Sequence, residues 1–498
     1  MEIIYKPKYL NPYQINFAGI NSTKKALDPT LLRKGVEYQV NHILEHIHPR
    51  ELKPYDVETA INGTRDDMFA RRIDTGKSAG HGLRGKKKLY FTRNDSDGFV
   101  YDEPDEILKE SIARFFAMAE REESPIVVFS CQLKDEPRDI TKVEQGKTRL
   151  FYMSPLVYLV LCRMFISPFY TAMVEQNEVF STAIGVDMTR QAHEVLKRIF
   201  PNGVHGQKAF EWDYSKYDQR MPFGIGLAAC SVIYRVLEAK GYNEKALKCL
   251  ASLLTSSMFV VISLAGDLFL CPGLQPSGKL GTAEDNTLRN YQLLCYFFHT
   301  LRTHWDFSKA VKEVLYGDDV FGRVIENLED VFNNVAFNKF CNEHFGMDTT
   351  SAAKDGNLNE FVDAENVSFL KRTFIFHPTL NRIVGALSQD SIFRMLEWNL
   401  PSSSVSSGEQ TLATCISASY EIYLHTDEDR FNIFRDFILQ QLVDSFEEYS
   451  FDYVDERIPN WYTLTTKLSH VAEDLSYDIL REDDCKEESQ SPLVARAQ

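Results

Sequence analysis

No run of apolar residues in this chain approaches the roughly 20 needed to cross a bilayer. The longest, Pro155 to Leu161 and Phe259 to Leu264, stop far short of it. The opening Met1-Glu2-Ile3-Ile4-Tyr5-Lys6 lacks the basic start and long apolar stretch of a secretory signal. Cysteine pairs of the C-x-x-C type are missing too, and the total of nine cysteines is odd. That argues against a complete disulfide framework and for a reducing, cytosolic setting. Repeats at solenoid periods are absent. What is left is a soluble globular chain, whose 498 residues exceed one ordinary core and suit two to four subdomains.

The formal charge of −16 argues against a nucleic-acid partner only if it is spread evenly, and it is not. Residues 441–490 carry 14 acidic and 4 basic side chains, a local net of −10. Thr75 to Asn94 instead holds Lys77, Arg84, Lys86, Lys87, Lys88 and Arg93 without an acid. Such a strip suits phosphate contact, although on its own it reads equally as a solvated loop.

Helical periodicity marks Leu31–Leu44, Ile107–Arg121, Phe223–Ala239, Ala283–Phe298 and Phe431–Phe446. Strand-like runs occupy Pro125–Phe129, Phe259–Leu264, Val314–Tyr316 and Phe374–Phe376. The mixture predicts an α+β or α/β chain with a helix-rich C-terminal third. The serine-rich 401–408 stretch reads as a flexible connection, and the charged tail from about Glu482 to Gln498 as disordered.

Two acidic motifs carry the chemistry. In Phe210-Glu211-Trp212-Asp213-Tyr214-Ser215-Lys216-Tyr217-Asp218, an aromatic strand ends at Asp213, and a turn into a helix would let Asp218 face the same cleft. By itself this is also an ordinary strand end. In Tyr316-Gly317-Asp318-Asp319, flanked by Val314-Leu315 and Val320-Phe321, the pattern is a hairpin with two carboxylates at its tip. Their repulsion is one that a bound cation would relieve. Together the motifs fit two divalent cations held by Asp213 and Asp318, the arrangement that nucleotidyl transfer requires.

Between them, Gln275-Pro276-Ser277-Gly278-Lys279-Leu280-Gly281 forms a compact loop, and Thr282 and Asn286 follow on one helical face that could read a ribose. Lys134 to Arg149 spaces cations among acids, which suits a triphosphate and equally a surface ion-pair ladder. His42-Ile43-Leu44-Glu45-His46 matches an inverted zinc-peptidase pattern, but Pro49 follows closely and no third ligand is evident, so a solvated helix face is the better reading.

With these motifs in order from Thr75 to Phe374, the chain resembles the RNA-dependent RNA polymerases of picornavirus-like positive-strand RNA viruses. Ser78-Ala79-Gly80 with Lys86, Lys87 and Lys88 is similar to the template-entry motif, and Leu370-Lys371-Arg372 after Phe369 to the primer-gripping motif. The resemblance assigns Lys134, Arg138, Lys142, Lys147 and Arg149 to nucleotide or template contact, and Asp218, Ser277, Gly278, Thr282 and Asn286 to nucleotide and ribose recognition. It makes Asp213, Asp318 and Asp319 the ligands of two Mg²⁺ ions, with Mn²⁺ as a substitute, and puts Lys354 where the family has its general acid.

The implied fold is a right hand with an encircled active site: fingers from 1–171 and 221–274, palm from 172–220 and 275–376, thumb from 377–498. In it, a small antiparallel sheet backed by helices forms the palm, and the thumb is helix-rich. Implied partners are template and primer RNA, ribonucleoside triphosphates, a small protein primer and other viral replication proteins. The implied setting is the host cytoplasm at membrane-associated replication complexes. An Asp218–Asn286 pair receiving the 2′-hydroxyl favours RNA synthesis over reverse transcription, where a bulky side chain is expected at position 218. A non-catalytic RNA-binding scaffold is disfavoured, because uncompensated carboxylates would repel the phosphates it must hold. The chain departs from the family at Met1, where the type group has a processed glycine, and at Lys279 and Leu280, where small residues are usual. Gln498 is weak evidence of polyprotein origin, and the acidic segment after residue 440 has no assigned role.

Overall fold

Helix starts follow the capping chemistry of the sequence. Asp28 accepts from the Thr30 amide and Pro29 takes the first turn of the Pro29–His46 helix, while Asp105 caps Glu106–Glu120 through the Leu108 amide. The inward face of the first of these, Val36, Gln39, Val40 and Ile43, keeps the three- and four-residue spacing seen in the sequence. Phe223–Ala239, Thr282–Thr300 and Glu428–Ser445 coincide with the other predicted helices to within three residues. The computed structural model describes residues 9–18, 20, 23–64, 70–96, 99–352, 357–402 and 404–469.

The chain divides into two compact units, one of residues 1–185 and 210–361 and a second of 186–209 and 362–498. The first holds a two-stranded sheet, Phe91–Ser96 with Phe99–Pro104, and two larger ones. One orders the strands Leu150–Met153, Val128–Leu133, Phe259–Leu264 and Asp267–Pro272, with Val128–Leu133 parallel to Phe259–Leu264 and the other pairs antiparallel. The predicted strand at Pro125–Phe129 therefore begins three residues later and runs on to Leu133. Its apolar run supplies only the start, and pairing with Leu150–Met153 extends it through Ser130 and Gln132.

The other sheet is antiparallel, ordered Thr349–Thr350, Lys208–Tyr214, Asp319–Val324 and Val311–Tyr316. Its back is covered by the Thr282–Thr300 and Asn334–Phe345 helices. Trp212 stacks on Phe337 at 4.0 Å between ring centroids and on Phe210 at 5.2 Å, and all three are fully buried. Truncating a buried tryptophan of this kind costs about 3–5 kcal/mol, so this aromatic layer is what holds the strand bearing Asp213. The two helices Leu156–Phe165 and Ser167–Glu175, bent by 56° at their junction, lie buried in the first unit's core. Among the described residues no single helix is long and apolar enough to cross a membrane.

In the second unit the strands Ser368–Phe369, Arg372–His377 and Arg382–Leu387 form an antiparallel sheet, and five helices are described between Gln389 and Ser469. Arg372 forks onto Glu421 at 2.8 and 2.6 Å, fixing the sheet to the Ser407–Tyr423 helix. The serine-rich stretch read as a flexible connection ends as a capping box, Ser406 with Glu409, and Gly408 is buried in the helix it starts. The tail from Glu482 to Gln498 lies outside the described residues. Among those described, the cysteines are free thiols.

Candidate active site

Asp213 follows Trp212 on the Lys208–Tyr214 strand, and Trp212 pairs with Val320, so continuing that register by one residue sets Asp213 opposite Asp319. On the far side of the hairpin Tyr316 pairs with Asp319, leaving Gly317 and Asp318 as a two-residue loop. Gly317 takes the left-handed backbone conformation, φ +62°, that a side chain would oppose. Asp218 sits in the short Tyr217–Arg220 helix just past the strand. The two acidic motifs, about a hundred residues apart, therefore meet at one end of the same sheet.

The Thr282–Thr300 helix holds that hairpin tip. Thr287 Oγ1 accepts from the Gly317 amide at 2.8 Å, and Asn290 Nδ2 donates to the carbonyls of Gly317 and Asp318, both at 3.2 Å. Asn290 Oδ1 in turn accepts from the Tyr214 hydroxyl at 2.7 Å, which ties the tip to the strand of Asp213. One turn earlier, Asn286 Nδ2 donates to the Asp218 carboxylate at 2.8 Å. Sequence reading found Asn286 and missed Thr287 and Asn290. The available signal was the recurrence of amide side chains at 286 and 290 on a helix buried all round.

Four carboxylates thus lie near enough at this end of the sheet for their charges to act on one another. Burial, then the charges of Asp319, Asp218 and Asp213, push the Asp318 carboxyl up to about 7. Asp218 is raised by burial, against the hydrogen bond from Asn286 and the nearby Arg289 charge. Among the described residues no three histidine, cysteine, aspartate or glutamate side chains already form a chelating group. The donor set nevertheless fits Mg²⁺ in kind: it consists of hard carboxylate oxygens of one sign, whose mutual repulsion a divalent cation would offset.

The remaining predicted residues fall as follows. Glu136 gathers Lys134 at 3.0 Å, Arg138 at 3.1 Å and Arg149 at 2.6 and 2.5 Å, and Arg149 with Lys134 holds its carboxyl down at about 2. Lys142 and Lys147 follow on the Ile140–Glu144 helix and the turn after it, where the Lys147 amide donates to the Lys142 carbonyl at 2.8 Å. The Thr282 hydroxyl donates to the Lys279 carbonyl at 2.8 Å, closing the loop, whereas Asn286 reaches Asp218. In the same loop Gly278 packs against the Tyr152 carbonyl, and Ser277 stands beside it.

Ser78 bridges Lys86, and the Ala79 amide donates to the Gly85 carbonyl, so the basic strip is a closed loop with Gly80 against Ser154. Lys86 and Lys88 are exposed, and burial lowers Lys87. Leu370 and Lys371, at φ +55° and +58°, form the tight turn of the second unit's sheet, next to the Glu421-bound Arg372. Lys354 lies outside the described residues. His42 and His46 have ring centroids 4.5 Å apart, with no third ligand among the described residues.

Comparison with solved structures places this architecture among right-hand polymerases. A sicinivirus 3Dpol RNA-dependent RNA polymerase matches with a TM-score of 0.73 over 93% of this chain and 91% of that one, at 20% identity, so the fold is shared. A model of the viral RNA-dependent RNA polymerase family matches residues 42–434, and the chain belongs to that family. The replicase polyproteins of Drosophila C virus and cricket paralysis virus are 26% and 25% identical over 392 and 388 residues, 75% and 74% of this chain. A human hepatitis A virus genome polyprotein is 32% identical over 283 residues, 55% of the chain. These alignments span 22%, 22% and 12% of the relatives' own lengths.

Proposed function

We propose that this chain performs template-directed RNA synthesis in viral genome replication. A primer 3′-oxygen bonds to the α-phosphorus of a ribonucleoside triphosphate in line with the departing pyrophosphate, whose bond to that phosphorus breaks. The observation that carries this reading is the gathering of Asp213, Asp218, Asp318 and Asp319 at one sheet end, with the charge of the other three weighing on Asp318. Asp213 and Asp318, assisted by Asp319, would hold two Mg²⁺ ions, or Mn²⁺ in their place. When bound, such ions acidify the attacking hydroxyl and neutralise the leaving pyrophosphate.

The chain's own residues do the rest. Thr287 and Asn290 fix the tip that carries Asp318, so little reorganisation is left for the reaction itself. Asp218 and Asn286 offer a paired acceptor and donor for a ribose hydroxyl, which favours RNA synthesis over reverse transcription. Lys134, Arg138, Lys142, Lys147 and Arg149 supply cations for the triphosphate. Lys86 and Lys88 do so for the template, Leu370 and Lys371 position the primer, and Lys354 protonates the pyrophosphate. The polyprotein relatives support work beside other viral proteins; a small protein primer and membrane-associated replication complexes in the host cytoplasm belong to the same proposal. Primer extension on an RNA template with ribonucleotides in one arm and deoxyribonucleotides in the other tests the reading. Extension confined to the ribonucleotide arm is expected, and extension by deoxyribonucleotides alone would replace it with a reverse transcriptase.

A further inference from the structure

A deeply buried ion pair in the first unit lies beside the nucleotide-recognition residues and plays no part in the reaction above. Lys279 Nζ bonds the Asp285 carboxylate, with side chains 2% and 7% exposed. The same carboxylate accepts from the Tyr170 hydroxyl at 2.6 Å and from Gln275 Nε2 at 3.2 Å. Three donors, two from the 275–281 loop and one from the Ser167–Glu175 helix, therefore converge on one buried group, which answers the cost of burying its charge.

This cluster closes a ring through the site. The Gln275 amide donates to the Asp218 carbonyl at 3.2 Å, and the Asp218 carboxylate accepts from Asn286, the residue after Asp285. Lys279 caps the loop from within, its amide on the Pro276 carbonyl at 2.9 Å and its carbonyl receiving the Thr282 hydroxyl at 2.8 Å. The loop has no slack on its outer side either. A Cβ at Gly278 would stand 1.8 Å from the Tyr152 carbonyl oxygen, and one at Gly281 2.2 Å from the Tyr170 ring. Moving Ser277-Gly278 thus means opening the Lys279–Asp285 contact or pulling on Asp218.

We infer that Lys279 is a positioning residue: clamped by Asp285, it holds the 275–281 loop in one conformation and through it fixes Asp218 and Asn286 for selection of the sugar. The loop half of this inference stands on the geometry alone, and the sugar half rests on the polymerase reading. The full chain carrying Lys279→Met and Asp285→Asn together tests it, since removing both charges avoids stranding one of them in the interior. Without RNA or nucleotide, hydrogen exchange of 275–281 should quicken about tenfold while the Pro29–His46 helix keeps its protection. In primer extension the preference for ribo- over 2′-deoxyribonucleotides should fall about tenfold, chiefly through a raised KM for the ribonucleotide.

Unchanged exchange in 275–281 overturns the inference whatever the activity. Quickened exchange with an unchanged sugar preference overturns the link to Asp218. An inactive wild-type chain would count against the polymerase reading, while the exchange result still decides the clamp. Should the paired variant fail to fold, Tyr170→Phe, which removes one hydrogen bond to Asp285, is expected to move both readouts in the same directions by about two- to threefold. No movement in either overturns the inference.

Discussion

Asn290 holds Asp318 by its main chain: the side-chain amide nitrogen of the one donates to the carbonyl oxygen of the other at 3.2 Å, on a helix where every residue from Asp285 to Phe298 is buried. Asn290→Ala removes this contact, leaves the Gly317 carbonyl unmet and strands the Tyr214 hydroxyl. A loss of about 1–3 kcal/mol in stability is expected. Primer extension should fall further than stability explains, by about 10- to 100-fold in kcat, because a displaced tip misplaces the carboxylate that would hold the metal. Thermal unfolding and single-nucleotide extension on one preparation measure the two effects.

Asn286→Ala leaves Asp218 without the donor that now orders it. The expected outcome is a preference for ribonucleotides reduced by about tenfold, with a higher KM for each ribonucleotide and a nearly unchanged rate for deoxyribonucleotides. Competition between the two nucleotide types on one template checks it. A preference equal to wild type contradicts the role given to this pair.

Glu313 supplies a pH test away from the aspartates. Burial pushes its carboxyl up to about 8, against a hydrogen bond from Ser181 and the nearby Lys312 charge. The unfolded chain releases this proton near pH 4.5 and the folded one only near 8, so folding takes up a proton between those values. Its share of stability is whole below about 4.5 and is lost as pH rises through 8, an effect on the order of a few kcal/mol. Glu313→Gln should therefore gain stability relative to wild type between about pH 5 and pH 8.5, as read by denaturant unfolding at each pH. A constant difference across that range contradicts the burial of this group.

The basic loop makes an ionic prediction. Lys86→Ala and Lys88→Ala should each weaken RNA binding about equally for all sequences, and each should lower the slope of log affinity against log salt by about 0.7–0.9. Titrations between low and moderate salt decide it, and an unchanged slope removes these lysines from the phosphate contacts.

Much of this was legible in the letters for identifiable reasons. The Gly317-Asp318 hairpin announces itself because a turn residue between two short apolar runs has few other uses, and the strand ending at Asp213 because its aromatic run stops at a carboxylate. The Lys279–Asp285 pair was not legible. Its partners are six residues apart across a left-handed Gly281, a spacing that matches no helical or strand rule. Thr287 and Asn290 escaped because a helix buried on all sides has no polar face to mark its functional stripe. The pairing of Arg372 with Glu421, 49 residues apart, is a matter of tertiary packing that local pattern cannot carry.

Catalysis, as read here, depends most on the carboxylates of Asp213 and Asp318 serving together as cation ligands. Primer extension with Mg²⁺ by Asp318→Ala, run beside wild type with RNA affinity measured on the same samples, tests this most directly. The expected result is a loss of at least about 10³-fold in extension with RNA affinity held at or above the wild-type level, since removing a negative charge cannot repel the phosphates. Extension by the variant at the wild-type rate would contradict the role given to these carboxylates.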